Sequence, residues 1–307
     1  MKLFINDINI IFNWKYKFNK ENLYKISFKI GKQLEDISYM FYNCVSYKTI
    51  NLNEFDTYKV KVMRSSFQEC SNLEEINFND FDTLNVIDMR YMFHSCSQII
   101  LLDLSNFNTE KVRDMSYMFY GCSNLKEIKG LLNFKTVSVT NMKYMFAECP
   151  NLISLDLSSF GTRSVKDRSF MFCGCSNLKE IKGFSNFKTF NVINMKSMFA
   201  ECPNLDSLDL SSFETNKLED ISYMFYGCSK LEEIKGLSNF KTDNIIKMKS
   251  IFYNCENLIL LDLTKFRTDK VNELNHLFFG CSNLKEIRGL TNFKTDNATT
   301  MKGMFSG

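Results

Sequence analysis

Apolar positions recur along this chain with one fixed step. Cysteine stands at Cys44, Cys70, Cys96, Cys122, Cys149, Cys175, Cys202, Cys228, Cys255 and Cys281, always 26 or 27 residues apart. One phenylalanine column runs from Phe55 through Phe81, Phe107, Phe134 and Phe160 to Phe293. A second runs from Phe41 through Phe67, Phe93 and Phe119 to Phe305, and the two columns hold 21 of the 30 phenylalanines. A threonine follows the first column by two positions in all ten units, from Thr57 to Thr295. A period of this length marks stacked supersecondary units, each burying its apolar face only against its neighbours.

Within a unit, Leu155 and Leu157 alternate as in a short strand with one face inward. Leu152 lies in the turn entering it, and Phe160 fills the corner that follows. In the neighbouring unit, Met115, Met118, Phe119 and Cys122 fall at i, i+3, i+4 and i+7, which predicts a two-turn helix. Asp114 stands where an N-cap is expected, as do Asn141, Asp167, Asn194 and Asp220, while Gly121 and Asn124 suit the exit. A helix so short does not persist alone, so each coil needs its neighbours. From about Cys96 the units alternate in pairs. One type reads as Asn204 to Phe213, the other as Asn177 to Phe187 with one extra residue near its glycine. Gly130, Gly183, Gly236 and Gly289 mark a tight bend there, since no phosphate-loop pattern accompanies them. The fold class expected is α/β: a leucine-rich-repeat-like solenoid of ten 26/27-residue units plus the start of an eleventh, over residues 34–307. Residues 1–33 do not fit the repeat and are expected to form an N-terminal cap, with strand character in Tyr24 to Ile30. Met301 to Gly307 matches Met115 to Gly121 and stops one position before the next cysteine. That end is expected to be open, with Phe293 and Phe305 partly exposed and self-association through it possible.

The run from Leu102 to Leu125 carries the motif L-D-L-S-x-F-x-T-x-x-V-x-D-M-S-x-M-F-x-G-C-S-x-L nearly intact. It resembles the BspA-type leucine-rich-repeat family of bacterial surface proteins, over roughly residues 34 to 307. The resemblance implies a solenoid, a role in adhesion or protein interaction, and a place at the cell surface.

Charge narrows the partner. Lysine and arginine number 38 against 35 acidic residues, a net charge of +3, too balanced for nucleic acid or anionic lipid as the main partner. No apolar run approaches a membrane-spanning length, so no membrane insertion is expected. Asp7 interrupts the short apolar stretch at the N-terminus, a poor secretory signal that by itself favours the cytoplasm over the surface implied by the resemblance.

Little in the sequence promises chemistry. Cysteines one coil apart form no local pair of a zinc site, and neighbouring helices would hold them 8–10 Å apart, too far to bridge. They are expected to be reduced, buried, small hydrophobes. Cys173 takes a position held by Tyr120 and Tyr226 and is read as drift rather than as a reactive C-x-C thiol with Cys175. His94 and His276 lie in different units and are expected at the surface. No catalytic residue, cofactor site or metal site is expected. The reading is a non-catalytic protein-interaction or adhesion module for a protein partner; the rival is a repeat region attached to a catalytic domain outside this chain. The candidate interaction face is the outward strand position, Asp103, Lys129, Asp156, Lys182, Asp209, Lys235, Asp262 and Arg288, whose sign alternates at every coil. In a parallel stack opposite charges would then be cross-strand neighbours, which fixes coil order or, on the sharper reading, makes a striped binding face.

Overall fold

A computed structural model describes residues 2–5, 8–10, 26–29, 34–53, 55–79 and 81–307. Three strands precede the repeat: β1 (Lys2–Ile5), β2 (Ile8–Ile10) and β3 (Ile26–Lys29), antiparallel in the order β2-β1-β3. β3 falls inside the stretch expected to be extended; Tyr24, Lys25 and Ile30 lie outside the described residues.

Each repeat unit then contributes one strand of three residues. These are β4 (Thr49–Asn51), β5 (Glu75–Asn77), β6 (Leu101–Asp103), β7 (Glu127–Lys129), β8 (Ser154–Asp156), β9 (Glu180–Lys182), β10 (Ser207–Asp209), β11 (Glu233–Lys235), β12 (Leu260–Asp262) and β13 (Glu286–Arg288). The alternation in sequence decides their orientation: the central residues Leu102, Leu155, Leu208 and Leu261 are buried and their neighbours face out. The strands pair two by two, in parallel, β4 with β5 through β12 with β13. In the last four pairs the ladder stops after the second strand, where the extra residue sits. Gly130, at φ 84°, turns the chain into a 3-10 turn over Leu131–Asn133. A Cβ there would lie 2.5 Å from the Ser105 backbone, so only glycine fits. The doubled sequence period is therefore visible as strands taken in pairs.

The predicted helix is not there: the described residues hold no α-helix. The run from Met115 to Cys122 is a chain of turns in which backbone N–H groups alternate between two destinations. Those of Met115, Tyr117, Phe119 and Gly121 donate to the next coil, at Asn141, Lys143, Met145 and Ala147. Those of Met118, Tyr120 and Cys122 donate three residues back within the coil. Such a path needs left-handed residues four apart, and Tyr117 and Gly121 have φ of 58° and 70°. The physical reason is pitch. Strands stack at about 5 Å and helices at about 8–10 Å, so a coil carrying both would splay. Turns that bond coil to coil keep one pitch on every side. The i, i+3, i+4, i+7 spacing is satisfied by this path as well as by a helix. The expected N-cap residues survive in another form: Asp114 Oδ1 accepts the Ser116 N–H at 2.8 Å, an Asx turn, and the column itself forms parallel bridges from coil to coil.

One apolar core runs without interruption from Ile37 to Phe278. Its spine is the second phenylalanine column, whose successive rings from Phe41 to Phe305 stack with centroids 5.3 to 5.9 Å apart. Each buried ring contributes roughly 1.5–3 kcal/mol of apolar burial. Phe305 is 60% exposed and Phe293 half-buried.

Side chains of three other columns hold the coils together. Thr109 Oγ1 accepts the N–H of Lys135 and donates to its carbonyl, and Thr162, Thr215 and Thr242 do the same two, four and five coils on. Asn133, Asn186 and Asn292 donate through their amides to carbonyls of the preceding coil. The cysteine thiols form the third set. Cys96 donates to the Phe67 carbonyl at 3.0 Å, Cys149 to that of Phe119 at 3.0 Å, and every ladder cysteine from Cys70 to Cys281 repeats the contact.

Candidate functional site

The strand face is built by the outward residues of β4 to β13. Register places Asp103 against Lys129, Asp156 against Lys182, Asp209 against Lys235 and Asp262 against Arg288. The intervening steps, such as Lys129 to Asp156, are not strand-paired, so the alternating charges face one another in register only within pairs of coils. Nor do these charges form cross-strand ion pairs within 4 Å. Asp156 Oδ1 accepts the N–H and the hydroxyl of Ser158, an Asx turn that starts the corner after the strand. Asp103 and Asp209 accept the N–H of Ser105 and Ser211 in the same turn, and Asp262 accepts both the N–H and the hydroxyl of Thr264. These hydrogen bonds, ahead of the facing cations, hold the four carboxyls below the usual range. The cations pair along their own strands instead: Lys182 with Glu180 at 3.6 Å, Lys235 with Glu233 at 3.8 Å, Arg288 with Glu286 at 2.8 Å. The face is thus self-neutralised locally.

Beside these charges the face carries uncovered aliphatic side chains. Ile100 and Ile153, just before β6 and β8, are each 54% exposed, and Ile259 before β12 is 47% exposed. Leu101 and Leu260 in β6 and β12 are also exposed, as is Leu132 in the turn after β7. Their column reads Ile100, Lys126, Ile153, Lys179, Asp206, Glu232, Ile259 and Lys285. Sequence reasoning passed over them because it followed columns that repeat, and these do not.

The remaining candidates resolve into scaffold. All eleven cysteines are free thiols. Their separation does not come from helix spacing, since the described residues hold no α-helix; each ladder thiol from Cys70 to Cys281 is instead aimed at a carbonyl one coil back. Burial pushes Cys122, Cys175 and Cys228 up to about 12. Cys173 is half-buried and also pushed up to about 12, by burial first and then by Glu148 and Glu201, which disfavours the reactive thiolate. The two histidines are not free surface groups. His94 is half-buried and stacks on Tyr120 at 4.8 Å; His276 packs edge-on against Phe279 at 5.6 Å. They belong to an aromatic stripe on the turn side, where Tyr91, Tyr117, Tyr144 and Phe170 stack at 4.3 to 4.6 Å. No group of three or more His, Cys, Asp or Glu suited to a metal occurs among the described residues. Nor does any helix among them have the length and apolarity to cross a membrane. Arg168, fully buried on the inner side of the turn run, was not anticipated; burial lowers it to about 9. The signal was present: it stands where Met115, Met142 and Met195 stand in other units.

Coils of this length, strand-lined on one side and tied by asparagine, threonine and cysteine columns, define a leucine-rich-repeat solenoid. The chain belongs to the family described as "Mycoplasma protein of unknown function, DUF285", whose model matches residues 6–127, 35–155, 98–184, 151–259 and 247–307. No curated protein matches the sequence. Among solved structures, the chain is similar to a leucine-rich repeat protein from Bacteroides ovatus, at 18% identity over 93% of this chain and 89% of that one, with a TM-score of 0.36. A leucine rich cell surface protein from Faecalibacterium prausnitzii matches at 19% identity over 83% of this chain and 76% of that one, with a TM-score of 0.42. An internalin from Listeria monocytogenes matches at 13% identity, covering 84% and 86%, with a TM-score of 0.29.

Proposed function

We propose that the protein is a non-catalytic interaction module whose strand face docks a protein partner. The observation that carries this is the make-up of that face: exposed Ile100, Leu101, Ile153, Ile259 and Leu260 interleaved with locally paired charges of both signs. Apolar contact area rimmed by polar groups is what protein interfaces use. A surface with little net field has no long-range pull on nucleic acid or anionic lipid. The polar side chains of the repeating inner columns are spent on coil-to-coil bonds, which leaves the outward columns as the part free to recognise something. Adhesion at the cell surface, in the manner of BspA-type proteins, is the narrower form of this reading.

The test is cross-linking of the native chain to its partners in intact cells and lysate, followed by titration of the purified partner. Three forms are compared: wild type, a strand-face variant (Leu101→Lys, Ile153→Lys, Leu260→Lys) and a turn-side control (Lys143→Glu, Lys249→Glu). Loss of binding in the first variant alone, at least tenfold in Kd, supports the reading. Retention in that variant with loss in the control refutes it. Cross-linking by a reagent that does not enter cells decides the adhesive form.

A further inference from the structure

At the first inward position of the turn run the coils place an apolar residue: Met115, Met142, Met195 and Ile221 are all at most 1% exposed. The coil between Met142 and Met195 places Arg168 there, 0% exposed. Its Nη2 donates to the Lys188 carbonyl at 2.8 Å and, more distantly, to that of Thr162 at 3.4 Å. Its Cζ lies 4.8 Å from the centre of the Phe187 ring. Nε and Nη1 are buried with no partner, and Arg168 forms no ion pair among the described residues. A charge removed from water needs a counter-charge or full hydrogen bonding. This guanidinium has neither, only two carbonyls and one ring face.

A globular core would spread such a deficit over many contacts. A solenoid does not, because its stability is a chain of nearest-neighbour terms. The same coil differs in a second way. Gly161 follows Phe160 where other coils carry Asn108, Lys135, Lys188 or Glu214, and a Cβ at 161 would meet Val137 Cγ1 at 2.7 Å. Glycine adds backbone freedom in the unfolded segment. Two independent departures from the repeat thus fall in one coil near the middle of the stack.

We propose that the coil from Phe160 to Phe187 is a built-in break: it opens ahead of the rest, releases Arg168 to water, and lets the stacks on either side move as separate bodies. The strand face is then two half-faces that meet between β9 and β10, which share no ladder, rather than one rigid surface. Opening is local, since it breaks the bonds from Arg168, Phe170, Phe172 and Gly174 to Asn194, Lys196, Met198 and Ala200 and leaves those of other coils in place.

Native-state hydrogen exchange on the full chain reads this directly. In wild type, amides of Arg168 to Gly174 are expected to exchange at least about 100-fold faster than those of Met115 to Gly121. Arg168→Met, which restores the repeat, is expected to abolish the difference. Adding Met115→Arg to that variant is expected to move fast exchange to its own coil. Equal protection of the two coils in wild type, or fast exchange persisting in Arg168→Met, overturns the proposal. So does slow exchange around an arginine transplanted to position 115. None of these outcomes depends on whether the strand face binds a partner.

Discussion

Replacing Cys149 by alanine isolates what the cysteine column does. The side chain is 0% exposed, and its thiol donates to the Phe119 carbonyl at 3.0 Å. Three losses accompany the change. The hydrogen bond is a weak one, about 0.5 kcal/mol at the low end of the usual range. Removing a buried group of roughly methylene size costs about 0.8 kcal/mol in transfer. A residual void of roughly 25 Å³, at about 24 cal/mol per Å³, adds about 0.6 kcal/mol. Cys149→Ala should therefore lose about 2 kcal/mol. Cys149→Ser keeps a donor and much of the volume, and should lose about 1 kcal/mol. Guanidinium unfolding, with the same pair of changes made at Cys228, measures both. Sites three coils apart should add to within about 0.5 kcal/mol. If serine proves worse than alanine by about 1 kcal/mol at both sites, the thiol serves as a hydrophobe only and its bond to the phenylalanine carbonyl contributes nothing.

Other expectations follow from the same geometry. Asp156→Asn retains the acceptor for Ser158 and should change stability by only a few tenths of a kcal/mol, whereas Asp156→Leu removes it and should cost about 0.5–1.5 kcal/mol; equal losses for the two would deny the turn role. Coupling between positions 156 and 182 in a cycle of Asp156→Lys and Lys182→Asp should be about 0.2–0.5 kcal/mol, since the facing cation is a minor influence on a carboxyl that mainly bonds Ser158; coupling above 1 kcal/mol would restore the charge ladder as a register device. Cys122, Cys175 and Cys228 have their pKa raised from 9.0 to about 12, so their contribution is complete below pH 9 and is lost as pH rises from 9 towards 12, by about 1.4 kcal/mol per pH unit per thiol; a Cys122→Ala variant should lose stability less steeply over that window, and parallel curves would contradict the assignment. Thiol labelling of the native chain should be slow at Cys173 as well as along the ladder, and fast at all of them after denaturation; rapid native labelling of Cys173 would show that it ionises near its ordinary range.

The repeat, the strands and the inward columns were legible because burial repeats with the coil. Leu102, Phe107 and Cys122 occupy positions that only a stacked core explains, and the structure places them there. The turn run was misread because period alone does not distinguish a helix from a ladder of turns when only two turns' worth of residues are present. The pitch of the strands was the missing argument, and it could have been made from β-strand spacing alone. Left-handed positions would also have served: Gly121, Gly174, Gly227 and Gly280 recur at one place, and a helix interior does not want glycine. The threonine column was visible but its use was not, since its partners are backbone atoms that have no signature in sequence. The exposed isoleucines and Arg168 lie at the other extreme. They are departures from a repeat, and reading for repetition suppresses departures, which is where recognition and weakness both reside.

The bonding of the threonine column shows why such a scaffold can take on partners without changing its fold. Thr109 holds the amide and carbonyl of Lys135, Thr162 those of Lys188, and Thr215 those of Lys241. The residue so held is gripped by its backbone, and its own side chain takes no part. Accordingly the position varies freely: Asn108, Lys135, Lys188, Glu214 and Arg267 all occupy it. The asparagine amides and the cysteine thiols also address carbonyls, so the repeating side chains bind main chain and leave other side chains unconstrained. Stability is thereby assigned to inward columns and identity to outward ones. Substitutions confined to the exposed aliphatic residues of the strand face, such as Leu101, Ile153 and Leu260, should alter binding while leaving unfolding within about 0.5 kcal/mol of wild type. That separation allows the docking test to be read: a strand-face variant that fails to bind but unfolds like wild type has lost recognition, not structure.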